Sequence, residues 1–202
     1  MINYFDIGSY SGVTIELMLD VFRELNIEDF RMFGFEPREK NYLACYDSFN
    51  HGRCQIFRCA LSDTIGQAKL YYSNNAGYGD SLYASKVNVS EEHEEVRTLI
   101  FSQWLKKWVP AYKKDHNILQ INVEGAEWLI LPEIIKSGVY KDIDLFLGEN
   151  AVDMLKVPEL KDKHQILVDK MKEHEIVMHR FVGNDLKKNA DVKKLIKEMV
   201  KT

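Results

Sequence analysis

Short apolar runs alternate with longer amphipathic segments along most of this chain, and that beat limits its fold more than any single motif does. Residues 4–7 form a strand candidate, and residues 13–25 set Leu17, Met18, Val21, Phe22 and Leu25 on one helical face. The run FRMFGF over 30–35 ends in Glu36-Pro37, and helical sequence follows from Arg38 towards Phe49. CQIFRCAL over 54–61 reads as a third strand closed by Ser62-Asp63, and QAKLYY after Gly66 as an extended arm. SQWLKKWV reads as a helix, and NILQINV over 117–123 as the clearest buried strand. A helix interrupted or restarted at Pro132 comes next. DIDLFLG is a fifth strand, residues 158–174 are helical, EIVMHRF is a sixth strand, and DVKKLIKEMVK is a final amphipathic helix. Strands separated by helices pair in parallel, with the crossover helices covering both faces. The expected fold is therefore α/β: a Rossmann-like, doubly wound, mostly parallel sheet in a three-layer sandwich. At 202 residues and 46% hydrophobic, the chain suffices for one domain over 1–202.

Composition removes several function classes. The formal net charge is -4 and no basic stripe is interleaved with aromatics, so nucleic acid is not an expected partner. The first residues lack a basic region followed by an apolar one, and no apolar run approaches membrane-spanning length. A soluble, cytoplasmic protein with no membrane partner is the expectation. Cys45, Cys54 and Cys59 form no Cys-x-x-Cys pair, which favours buried free thiols over a disulfide framework or metal site. EEHEE reads as a solvated face. Residues 73–90, rich in Asn, Gly, Ser and Tyr, read as a long loop or a mobile cover over a site.

Open parallel sheets bind ligands beyond the carboxyl ends of their strands, where strand order reverses. Asp6, Gly8 and Gly12 fall where the first strand becomes the first helix, and a glycine there allows both a sharp bend and close approach of a ligand. A dinucleotide fingerprint starting at Gly8 needs glycine at 10 and 13, which are Tyr10 and Val13. Glu36, ending the second strand, can accept hydrogen bonds from ribose hydroxyls or answer the dipole of the next helix. Asp63 can accept from an adenine amino group or cap a turn.

The stretches DIGSYSG, FGFEP, CALSD and LQINVEGAEWLIL resemble, in order and spacing, the FkbM-like methyltransferases, S-adenosylmethionine-dependent enzymes of the class I fold. The similarity spans residues 4–150, and INVEGAE is its most specific piece. The resemblance implies methylation of a hydroxyl on a small-molecule or glycan acceptor, often a sugar. It places Asp6, Gly8 and Gly12 at the methionine end of S-adenosyl-L-methionine, with Ser9 and Tyr10 on the same turn. Glu36 then faces the ribose, Ser62 and Asp63 the adenine side. Asn122 stands where the family commonly has Asp, and Gln120 where Lys is common. Asn takes no proton, so Asn122 is expected to hydrogen-bond cofactor or acceptor. Glu124 is the first candidate base, followed by Glu127 and Glu149; a first-turn helix charge is the competing role for Glu127. His93 and His179 are further bases, and Tyr10, Asp80, Ser81 and Ser85 candidates for an acceptor pocket. The class folds an N-terminal segment over the cofactor; here loop 73–90 or the second subunit of a homodimer is expected to cover the site. It also carries a seventh strand antiparallel to the sixth, and none is legible after Phe181. Two other readings are kept. One is an NAD-dependent oxidoreductase; the other is a nucleoside-binding interaction module that has lost catalysis, prompted by Asn122.

Overall fold

The computed structural model describes residues 1–74, 78–181 and 186–201. Its main sheet contains β1 (Ile2–Ile7), β2 (Phe30–Phe35), β3 (Cys54–Phe57), β7 (His116–Ile121), β8 (Leu145–Gly148) and β9 (Met178–His179). They lie in the order β3-β2-β1-β7-β8-β9, and every pairing is parallel. This is a doubly wound, Rossmann-like sheet whose order reverses between β1 and β7. Alternation fixes its two faces. Phe5, Ile7, Phe33, Phe35, Leu119, Ile121 and Phe146 pack against α3 (Phe101–Trp108), α4 (Glu127–Ser137) and α5 (Lys161–Glu173). Ile2, Tyr4, Met32, Ile56, Ile118 and Leu147 face α1 (Val13–Glu24), α2 (Glu39–Phe49) and α6 (Leu186–Met199). The three-layer expectation holds.

One packing cluster sets the stage for the site. The Trp104 ring lies edge-on to Phe35 at 4.9 Å, and to Phe33 and Phe57 at 5.3 Å each. Such pairs add about 0.5–1.5 kcal/mol each beyond area burial. They fix the carboxyl ends of β2 and β3, and with them Glu36, the residue that follows Phe35.

The structure corrects four local readings. The 54–61 run is two strands: β3 stops at Phe57, and β4 (Ala60–Leu61) leaves the main sheet to pair with β6 (Val89–Leu99). The acidic run is exposed as expected but belongs to β6, which also pairs antiparallel with β5 (Gly66–Ser73). That three-stranded sheet has a small core, Ala60, Leu70 and Val96, so β6 shows little apolar alternation. α4 runs through Pro132 unbroken, because burial of Ile130, Leu131 and Ile134 on either side outweighs the lost backbone bond. Finally, β9 is two residues long where EIVMHRF suggested seven. The main sheet has no seventh strand among the described residues, and residues 182–185 lie outside them. So do residues 75–77 of the expected cover. The three cysteines are free and buried, and burial pushes the Cys54 and Cys59 thiols up to about 12.

Candidate functional site

A cavity of about 330 Å³ opens beyond the carboxyl ends of β1, β2 and β7. Its floor is the turn from β1 into α1. Gly8 there has φ +86, and a Cβ would lie 2.0 Å from the Asn122 carbonyl oxygen. The Asn122 amide in turn donates to the Ile7 carbonyl at 2.9 Å. Gly8 is thus required where two strand ends meet at the switch point. Gly12 (φ +91) serves packing: a Cβ would meet the Phe49 ring at 2.3 Å, and Gly12 is not in the cavity wall. Beneath the turn Asp6 is fully buried, accepts from the Thr14 hydroxyl at 2.6 Å, and is raised to about 7 by burial. Its Oδ1 has no hydrogen-bond partner among the described residues. Ser9 donates its hydroxyl to the Asp6 carbonyl and lines the cavity with Gly8 and Tyr10.

Glu36 is 5% exposed and faces this turn. Oε2 accepts the Tyr10 amide at 2.8 Å, and Oε1 accepts the Arg38 amide at 3.0 Å. Burial raises its carboxyl to about 7, against the lowering effect of the Arg38 and Tyr10 amides and the Asn41 side chain. An ionised carboxylate has about four acceptor positions, so capacity remains for ligand hydroxyls.

The cover over the cavity is tied down by side chains far apart in sequence. Tyr71 and Ser81 exchange both backbone hydrogen bonds, which hangs the segment from β5. Asp80 receives both oxygens' worth of contact from Arg38, at 2.8 and 3.1 Å, and Arg38 stacks 4.4 Å over Tyr72. The Tyr78 ring lies 4.3 Å from the Tyr10 ring at the cavity mouth. Buried Lys86 pairs with Glu124 Oε2 at 2.8 Å and donates to the Gly79 carbonyl at 2.6 Å. The Ser81 hydroxyl donates to the Glu124 carbonyl at 2.8 Å. Tyr10 and Asp80 therefore line the cavity as acceptor-pocket candidates, whereas Ser81 is buried behind it and the Ser85 hydroxyl contacts Glu159.

The remaining sequence candidates separate by place. Asn122 and Glu124 line the cavity. Glu124 has φ +55, a left-handed turn beyond β7. Glu127 does not line the cavity: its oxygens accept the Val123 and Gly125 amides at 3.3 and 2.8 Å, and burial raises it to about 7. Glu149, after β8, pairs with Arg180 at 2.8 Å in a separate cleft. Ser62 and Asp63 are outside the cavity wall, because the chain turns into the small sheet at Ala60 and Ser62 donates to the Leu99 carbonyl. Cys59, Ala60 and Leu61 form that wall instead. His93 is exposed against its own strand, and His179 sits in β9. Arg38, Asn41, Tyr78 and Lys86 were missed. The one local signal was Asn41, a polar residue on the inner side of α2.

No family model and no curated protein matches the chain. Among solved structures, that of methyltransferase FkbM from Methylobacillus flagellatus KT is similar at a TM-score of 0.47 and 12% sequence identity. The match covers 82% of this chain and 37% of that one. So distant a likeness adds nothing to what the strand order already gives.

Proposed function

We propose that this protein is an S-adenosylmethionine-dependent methyltransferase acting on a hydroxyl, with a carbohydrate as the acceptor class. The observation that carries the reading is the extent of the cavity. Its walls come from β1, β2, the small sheet with its cover, and the turn after β7; among the described residues the end of β8 contributes none. At about 330 Å³ it is at the small end of the usual range of roughly 300–1,000 Å³ for ligand sites, suited to one nucleoside with a short side arm. A dinucleotide needs the β8 side of the switch point as well, and Tyr10 and Val13 occupy glycine positions of its fingerprint. The four motifs of the sequence resemblance support the same choice.

The residues fit the group. Glu36 would accept the ribose hydroxyls, the Gly8–Tyr10 turn and Asn122 would border the amino-acid arm, and Cys59–Leu61 would flank the base. When bound, the cofactor supplies an electrophilic methyl group on a sulfonium. What the chain has to do is exclude water and hold the acceptor hydroxyl in line, and alignment of this kind can supply most of the acceleration. Glu124 is the carboxylate of the cavity wall nearest the end of β7, and it would take the acceptor's proton.

Calorimetric titration with S-adenosylmethionine, S-adenosylhomocysteine and NAD tests the cofactor, and transfer of labelled methyl to a panel of glycans tests the reaction. Micromolar or tighter binding of the first two is expected. Tight NAD binding with no heat from S-adenosylmethionine overturns the proposal. Glu124→Gln is expected to keep cofactor affinity and lower turnover on the order of 10²–10⁴-fold, the usual contribution of a positioned base.

A further inference from the structure

A second cleft of about 280 Å³ lies beyond the carboxyl ends of β8 and β9, lined by Gly148, Glu149, Asn150, Val152, Met178 and Arg180. Its polar element is the ion pair between Arg180 Nε and Glu149 Oε1 at 2.8 Å, whose side chains are 47% and 34% exposed. An exposed pair of this kind contributes about 0–1 kcal/mol to stability, so the fold has little stake in it. The closest approach of the pair is between one carboxylate oxygen and one guanidinium nitrogen. Glu149 Oε2 and the two Nη groups of Arg180 make no hydrogen bond among the described residues, which leaves an acceptor and several donors side by side in the cleft. Val152 and Met178 add an apolar surface next to them.

The turn that presents this pair is strained. Asn150 (φ +54) and Ala151 (φ +58) are consecutive non-glycine residues in the left-handed region, and Ala151 is buried. Such conformations cost about 1–3 kcal/mol each and persist where their surroundings impose them, commonly around binding sites. The cleft lies on the same edge of the main sheet as the larger cavity, beyond the end of β8, the strand next to β7. Lys156, ending the short helical turn Val152–Lys156, bonds Asp153 at 2.5 Å and lies within the electrostatic reach of both Glu124 and Glu149.

We infer that this cleft is an acceptor subsite for a neutral, hydroxyl-rich ring, with Glu149 and Arg180 together reading a vicinal diol. The chemistry decides the class. Each hydroxyl of a diol both donates and accepts, which matches a carboxylate oxygen beside guanidinium N–H groups. A lone anion would be attracted by Arg180 but repelled by Glu149, and the pair carries no net charge. The apolar C–H face of a pyranose suits Val152 and Met178. The role as acceptor subsite rests on the methyltransferase reading; the diol chemistry does not.

Saturation-transfer NMR on the protein with S-adenosylhomocysteine added tests the assignment. The probes are methyl α-D-glucopyranoside, methyl α-D-mannopyranoside and methyl α-D-galactopyranoside, with D-glucuronate and glycerol 3-phosphate as anionic controls. At least one methyl hexopyranoside is expected to give a signal that falls several-fold in both Glu149→Ala and Arg180→Ala. Calorimetric affinity for S-adenosylhomocysteine should stay within about twofold in both variants, because neither residue lines the nucleoside cavity. The assignment is overturned if no hexopyranoside binds, if binding survives both substitutions, or if the anions bind and depend on Arg180 alone. Hexopyranoside binding that needs both residues, in a protein that binds neither S-adenosylmethionine nor its product, upholds the subsite and removes the methyltransferase reading. Cofactor binding without any hexopyranoside signal does the reverse.

Discussion

Replacing Glu36 by alanine should separate two roles of one carboxylate. In the fold it accepts the amides of Tyr10 and Arg38 at 2.8 and 3.0 Å while 5% exposed. Each orphaned buried donor costs about 1–3 kcal/mol. Water entering from the cavity partly satisfies these two, so the low end of their sum, about 2 kcal/mol, is expected. For a protein of this size each kcal/mol shifts the melting temperature by about 2–4 °C, giving a fall of about 4–8 °C. In ligand binding the loss is separate: hydrogen bonds to a charged acceptor are worth about 1.5–3 kcal/mol, so S-adenosylmethionine should bind roughly 10–150-fold more weakly. The proton balance gives a third signature. Burial raises the carboxyl to about 7, and ribose hydroxyls prefer its ionised form, so affinity should increase as pH rises from 6 to 8 with release of protons. That rise should be reduced in Glu36→Ala. Thermal melts and calorimetry in buffers of different ionisation heat measure all three. A lower melting temperature with unchanged affinity reduces Glu36 to a clamp on the turn, and no change in either refutes the reasoning.

Two further outcomes concern the fold itself. Asp6, Glu36 and Glu127 are raised by burial from their ordinary values to about 7, so between about pH 4 and 7 the folded state holds protons that the unfolded chain has lost. Their contribution to stability is complete below about pH 4 and is lost as pH rises through 7, at up to about 1.4 kcal/mol per pH unit for each group. Urea unfolding at pH 5, 6, 7 and 8 should show the decline, with a shallower slope in Glu127→Gln; a rise across that range in the wild type refutes it. Gly8→Ala places a Cβ 2.0 Å from the Asn122 carbonyl oxygen and should abolish cooperative folding, while Gly52→Ala, with nothing within 4 Å, should fold. Circular dichroism melts decide, and a near-native Gly8→Ala refutes the contact.

The main sheet was legible because its strands are buried on both faces and read as nearly continuous apolar runs. The small sheet was not. Its core is three residues, so β6 carries Glu91, Glu92, Glu94 and Glu95 without penalty, and charge hides a strand from any test of alternation. The same blind spot displaced the expected wall of the cavity on that side. Ser62 and Asp63 follow a run that looks like one strand, but β3 ends at Phe57 and Leu61 is drawn to Leu99 of β6. The cavity residues on the turn after β1 and at the end of β2 were legible because strand order alone brings those places together. Arg38–Asp80 and Lys86–Glu124 were not, since they close spans of about forty residues through a segment with no periodic signal.

Asn122 and Glu124 divide what an aspartate and a glutamate would share at this turn. The fixed part of residue 122 is its main chain: the amide meets the Ile7 carbonyl and the carbonyl packs against Gly8, neither of which depends on the side chain. Asparagine in place of aspartate therefore leaves the switch point intact and removes one basic group from the cavity wall. Glu124 is different, because its backbone at φ +55 is a conformation that glycine adopts freely and glutamate does not. The Ser81 hydroxyl holds its carbonyl and the Lys86 ammonium holds Oε2, so the cover and the strained turn stabilise each other. Oε1 makes no hydrogen bond among the described residues, and Glu124 lines the cavity while Lys86 does not. In the proposed reaction this clamp would fix the position of Glu124 before an acceptor arrives, while the Lys86 ammonium, by favouring the ionised carboxylate, would keep it free of a proton at the cost of some basicity.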